Sequence, residues 1–321
     1  MISAAHDLLK TDIDSQNNMT KRYGGKYDCN EISTGAVLLA DVLPGLLMKF
    51  LISAFSNRIS YAKKFIFIVI TGSLSFIIVS QTSNSIKWLI FTGICCASVS
   101  TSVGELTFLS LTTLYPTNMS FFPYVIGSGT SGLLSSFFYA GLASYFTPKK
   151  AILYMLFVPF LMTMAYMLLP DHNSSLLRRS HFSAIKLIDS KETEINEKNL
   201  VPFESMGLYD KFKLTKPLLK YMVPLFIIFY SEIIVHNTDV LFLHVIYGFI
   251  PSITIVLIIT FWEGLIGGGC YVNALNLVSI QIPKIYREFS IGVTTIADTI
   301  GIALAGFTAL PLHNAICRLG M

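Results

Sequence analysis

Ser102–Leu111 reads SVGELTFLSL, and the one carboxylate at its centre, Glu105, stands among small and apolar residues. The run lies inside a longer apolar stretch, about 88 to 114, that as a helix is long enough to cross the roughly 30 Å hydrocarbon core of a bilayer. An ionised side chain at the centre of a membrane helix costs about 2.5 to 3.5 kcal/mol, so such a residue faces the bundle interior, a partner or a wet cavity. Reading this stretch as a span therefore sets the fold class and also marks where function should be sought.

The rest of the 321 residues agree. Hydrophobic residues make up 53% and charged residues only 13%, well below the charge of a soluble domain, and the mean hydropathy is +0.63. The fold class expected is an all-α polytopic membrane protein. A net charge of +4, spread mostly over short connections, sets orientation in a bilayer and implies no nucleic-acid partner. The five cysteines form no CxxC pair and share no zinc-type spacing with histidine, so no structural metal or cofactor is expected. MISAAHDLLK lacks the basic start and long apolar core of a secretory signal, which leaves insertion to later helices.

Spans are predicted at about 35–56, 65–80, 88–114, 122–146, 150–169, 218–236, 251–280 and 288–312, the seventh broken at its glycines. Residues 241–250 are apolar but too short to be assigned. Arg58, Lys63 and Lys64 follow the first span, and a basic series from Arg178 to Lys216 occupies the polar stretch 170–217. Counting crossings puts both on one side, the cytosolic side by the excess of Lys and Arg. The segment before the first span then faces the lumen, where NMT makes Asn18 a glycosylation acceptor; the sequons at Asn118 and Asn173 fall on the cytosolic side and read as silent. Four regions follow: a lumenal segment 1–34, an N-terminal bundle 35–169, a flexible cytosolic linker 170–217 and a C-terminal bundle 218–321. SLLRR in the linker matches a di-leucine sorting signal only loosely.

Asp41, Lys49, Glu105, Glu232, Glu263 and Asp298 all fall within or at the ends of spans. They read either as buried pairs that fix helix register or as a substrate and proton pathway. Asp41 and Lys49, eight residues apart, share a helix face without reaching each other, so each needs a partner from another helix. Lys49 also lies near enough to the cytosolic end to snorkel. In FWEGLIGGGCYVNALNLV (Phe261–Val278) the triplet Gly267–Gly269 weakens the helix where Tyr271, Asn273 and Asn276 present polar groups; close packing through small residues is the alternative. GSGTSG (Gly127–Gly132) repeats the theme in the fourth span, and with no following lysine or preceding strand it is not a phosphate loop. His236, Asp239 and His313 sit at helix borders and read as interfacial. With no Ser–His–Asp, Cys–His or HExxH arrangement, no enzyme is expected.

Several stretches, in order along most of the chain, resemble the battenin family: SAAHDLL, YDCN, TGAVLLADVLPGLLMK, GELTFLSLTTLYP, GSGTSGLLSSFFYAGL, YMVPLFIIFYSE, EGLIGGGCYVNALN and REFS followed by ADTIGIALAGFTALPLH. The resemblance implies a fold similar to the major facilitator superfamily, two helix bundles around a midplane cavity. It implies a lysosomal or vacuolar membrane and a part in glycerophosphodiester clearance, basic amino acid transport and organelle pH. A single phosphate in such a substrate suggests Lys49 as its counter-ion, with Glu105 or Glu263 binding a cationic group or exchanging a proton.

The chain also departs from the family pattern. The helix expected before SAAHDLL is absent, about two helices are missing between SEIIVHN and YGFIPS, and Cys317 is one position off a CaaX box. The expectation is a truncated two-bundle carrier of a small zwitterionic or charged metabolite. The alternative is a membrane scaffold acting on trafficking proteins through its linker.

Overall fold

The computed structural model describes residues 34–55, 59–81, 87–112, 117–168, 208–234 and 253–319, and among them all regular structure is helical. In order these are α1 (Thr34–Phe55), α2 (Tyr61–Gln81), α3 (Lys87–Thr112), α4 (Thr117–Tyr145), α5 (Pro148–Tyr154), α6 (Phe157–Met167), α7 (Leu208–Thr215), α8 (Leu219–Ile234), α9 (Ile253–Gln281) and α10 (Lys284–Leu319), with a 3₁₀ turn at Lys216–Leu218 before α8. Each predicted span coincides with a helix, the fifth with the pair α5 and α6. By length and composition, Tyr61–Gln81, Trp88–Thr112, Pro148–Met167 and Tyr286–Pro311 can each cross a membrane. The architecture is that of an all-α, multi-span membrane protein. Asn18, residues 241–250, His236, Asp239 and most of the linker lie outside the described residues.

Three expectations change. The glycines do not break the seventh span: α9 runs unbroken through Gly267–Gly269. Each glycine costs a helix about 1 kcal/mol, whereas unwinding a turn in lipid strands several backbone groups at several kcal/mol each, so the helix persists. GSGTSG is likewise continuous within α4, where Thr130 and Ser131 return their hydroxyls to the carbonyls of Ile126 and Ser128. Finally, the end of the expected flexible linker is ordered as α7, LYDKFKLT.

α3 packs on α1 and α2, and α10 packs on α8 and α1, so α1 joins the first part of the chain to the last. Three apolar clusters follow that layout. One gathers Val37, Val79, Ile90, Ile94 and Ile152; a second Ile52, Ile68, Val103 and Leu106; the third Leu109, Leu218, Leu225, Leu275, Val278 and Ile291. Buried positions include many hydroxyls, such as Ser75, Ser100, Ser102, Thr107 and Thr294, while Ile66, Ile70, Ile258 and Trp262 point outward. That distribution suits lipid outside and close helix contact inside. At Gly301 a Cβ would sit 2.7 Å from the Phe226 carbonyl oxygen, a backbone atom that cannot swing aside, so only glycine lets α10 and α8 approach so closely there.

Candidate functional site

α1 is placed against α3 by a device written in its sequence. Pro44 has no N–H to offer the Ala40 carbonyl four residues back. Cys95 Sγ of α3 reaches that carbonyl instead, at 3.6 Å, and Ser98 Oγ donates to the next carbonyl, that of Asp41. The docking carries Lys49, further along α1, into the centre of the bundle.

Lys49 is only 4% exposed, and its ammonium meets oxygens from two other helices. Nζ lies 2.8 Å from Glu105 Oε2 on α3, and on α10 it lies 2.8 Å from Thr299 Oγ1, 3.3 Å from the Thr295 carbonyl oxygen and 3.7 Å from Asp298 Oδ1. Asp298 Oδ1 accepts the Thr299 backbone N–H at 2.6 Å, and the Thr299 hydroxyl lies 3.1 Å from both Asp298 Oδ1 and the Thr295 carbonyl oxygen. Glu105 Oε1 accepts the Tyr271 hydroxyl of α9 at 2.6 Å, and the Tyr124 hydroxyl of α4 reaches the Glu105 carbonyl oxygen at 3.4 Å. Phe229 stands edge-on to the Tyr271 ring, with centroids 6.1 Å apart.

Lys49 therefore does not snorkel. Three N–H bonds face four oxygens, and that arrangement offsets the loss of water better than a reach to the interface through packed helices. With all three groups ionised, two carboxylates meet one ammonium and leave a net negative charge. Lys49 and Asp298 are buried; Glu105, with 28% of its side chain exposed, is the member open to an incoming group. The three N–H bonds of Lys49 are taken up by these oxygens, and in this arrangement it is the counter-ion of Glu105 and Asp298.

The other predicted residues lie apart. Asp41 is half-buried, two turns from Lys49 along α1. Glu232 of α8 packs on Gly267 of α9, where a Cβ would come within 2.6 Å of Glu232 Oε2. That oxygen is buried without a hydrogen-bond partner, and Glu263 is close enough for the two carboxylates to repel. Asn273 is exposed, two residues on from Tyr271 and on another face of α9. Among the described residues no three metal-ligating side chains converge.

Tyr124, Thr295 and Thr299 were not predicted. Signals for them existed. Glu105 and Tyr124 stand about equally far from the connection between α3 and α4, so an antiparallel helix pair brings them level. TTIAD T, with Thr294, Thr295, Asp298 and Thr299 at helical spacing, forms a polar stripe on one face.

The fold and the site thus define a polytopic helical membrane protein with a shielded lysine–carboxylate cluster joining helices from both ends of the chain. The family described as "CLN3 protein" matches residues 1–238 and 231–319, and the chain belongs to that family. It is 29% identical to battenin of Canis lupus familiaris, over 99% of this chain and 87% of that protein. Protein BTN1 of Debaryomyces hansenii is 27% identical, covering 88% of this chain and 86% of its own length, and protein btn-1 of Neurospora crassa is 27% identical at 90% and 82%.

Proposed function

We propose that the chain is a transporter-like protein of the lysosomal or vacuolar membrane, moving a small zwitterionic or charged metabolite past Glu105. One observation carries this reading: two carboxylates converge on one ammonium, and Glu105 stays partly exposed while that ammonium is fully engaged. Such a site takes a cationic group or a proton, and the anionic part of a zwitterion is met elsewhere. Membership in the family supports a transport-like, non-enzymatic part; the organelle, the link to glycerophosphodiesters, basic amino acids and pH, the major-facilitator arrangement of two bundles, and glycosylation at Asn18 belong to the same proposal.

The alignment with battenin runs over 389 positions against 321 residues, and the two family matches meet at 231–238. Both features suit a second half shortened near SEIIVHN, as the resemblance to the family suggests. The described helices bring Lys49, Glu105, Asp298, Tyr124 and Tyr271 together in one cluster.

Uptake of radiolabelled glycerophosphocholine and of lysine into sealed vesicles tests the proposal. Glu105→Gln should lower flux at least about tenfold, the loss expected when a charged contact is made uncharged in a desolvated site. Deletion of 170–207 should leave flux unchanged. Full flux in Glu105→Gln, or loss of flux only on the deletion, would favour the scaffold acting on trafficking partners.

A further inference from the structure

α10 carries a second acid ten residues before Asp298, in its second turn. Glu288 Oε1 lies 3.4 Å from Lys64 Nζ, and Oε2 accepts the Tyr61 hydroxyl at 3.4 Å. Lys64 is only 4% exposed although it lies in the first turn of α2, while its neighbour Lys63 is exposed. A lysine there has a short route to interfacial water, and turning it inward requires a partner that holds it. The ammonium also lies 5.0 Å from the centre of the Tyr61 ring.

The contact joins helices that otherwise pack elsewhere. α2 lies mainly against α3 and α5, and α10 mainly against α8 and α1. α10 thus holds two acids about 15 Å apart along its axis, each gripping a lysine from an early helix. Between the two ionic layers, Ser53 of α1 packs against Gly292 of α10, where a Cβ would come within 2.5 Å of its Oγ. Ser53 is itself buried, so this layer is tightly packed.

We propose that Tyr61, Lys64 and Glu288 form a latch that shuts the passage between the Lys49–Glu105–Asp298 cluster and the membrane face bearing the connections 56–60 and 282–283, the face that the Lys and Arg bias assigns to the cytosol. The latch opens by parting α2 from α10, and Ser53 then becomes accessible from that face. The inference rests on reading the cluster as part of a passage, but its test measures access and not flux, so the two stand or fall separately.

The experiment uses the full chain in inside-out vesicles, with the native cysteines changed to serine, which keeps a donor at position 95, and Ser53→Cys as reporter for a membrane-impermeant maleimide. Labelling should be slow with the latch intact and about tenfold faster in Lys64→Gln and in Glu288→Gln, as for loss of a shielded ion pair. It should be slow again in the exchange Lys64→Glu with Glu288→Lys. Tyr61→Phe, too mild to unfold the chain, should speed labelling about threefold by removing one hydrogen bond. Equal rates in the parent and the single variants overturn the latch, as does an exchange variant labelled as fast as the singles. If the charge variants do not fold, an unchanged rate in Tyr61→Phe overturns it alone.

Discussion

Two of the acidic sites between helices, among the described residues, are built on opposite plans. At the first, Glu105 and Asp298 converge on one lysine, and tyrosine and threonine take up their remaining lone pairs. At the second, Glu263 lies within electrostatic reach of Glu232, and one buried oxygen of Glu232 lacks a hydrogen-bond partner. A carboxylate that shares a lysine with another helix ties the bundle together; one that lies near a second carboxylate is a place where a proton or cation gains most by arriving. The first site is thus both a structural tie and a candidate pathway element, the second a candidate pathway element alone.

The contrast breaks most sharply at Lys49. Lys49→Ala leaves two carboxylates in the bundle without their ammonium and should destabilise the chain by about 3 to 5 kcal/mol, read as a large drop in the apparent unfolding midpoint in detergent. A small drop would mean that the cluster contributes little to folding. Tyr271→Phe removes a 2.6 Å hydrogen bond to a carboxylate and should cost about 1.5 to 3 kcal/mol by the same measurement. Glu232→Gln should do the opposite: with one charge of a repelling pair gone, the midpoint should hold or rise by the equivalent of up to about 1 kcal/mol. A fall there would show that Glu232 is as firmly tied as Glu105. Asn273→Ala, at an exposed position on α9, should stay within about 0.5 kcal/mol of the parent and leave flux unchanged.

Much of the fold was legible in the residues. Apolar runs of span length located every described long helix, because a helix that meets lipid must carry its hydrophobicity in its own sequence. The intramembrane charges were legible too, since their cost makes each one conspicuous. The glycine triplet misled: a local weakness was read as a break, although the bilayer penalises exposed backbone more than glycine weakens the helix. Lys49 also misled. Its position near a span end is compatible with snorkelling, and only Glu105 on α3 with Thr299 and Asp298, some 250 residues further on, turn it inward.

Composition and periodicity by themselves determined that the chain crosses a membrane as helices, which residues are costly to bury and which stretches resemble one family. Those properties belong to single segments and their solvent. Which acid meets which lysine, that Tyr271 joins Glu105 while Asn273 does not, and that Glu288 holds Lys64 were decided only when α9 and α10 docked on the first three helices. Pairing energies depend on separations of a few ångströms between atoms distant in the chain, and no local pattern encodes those separations.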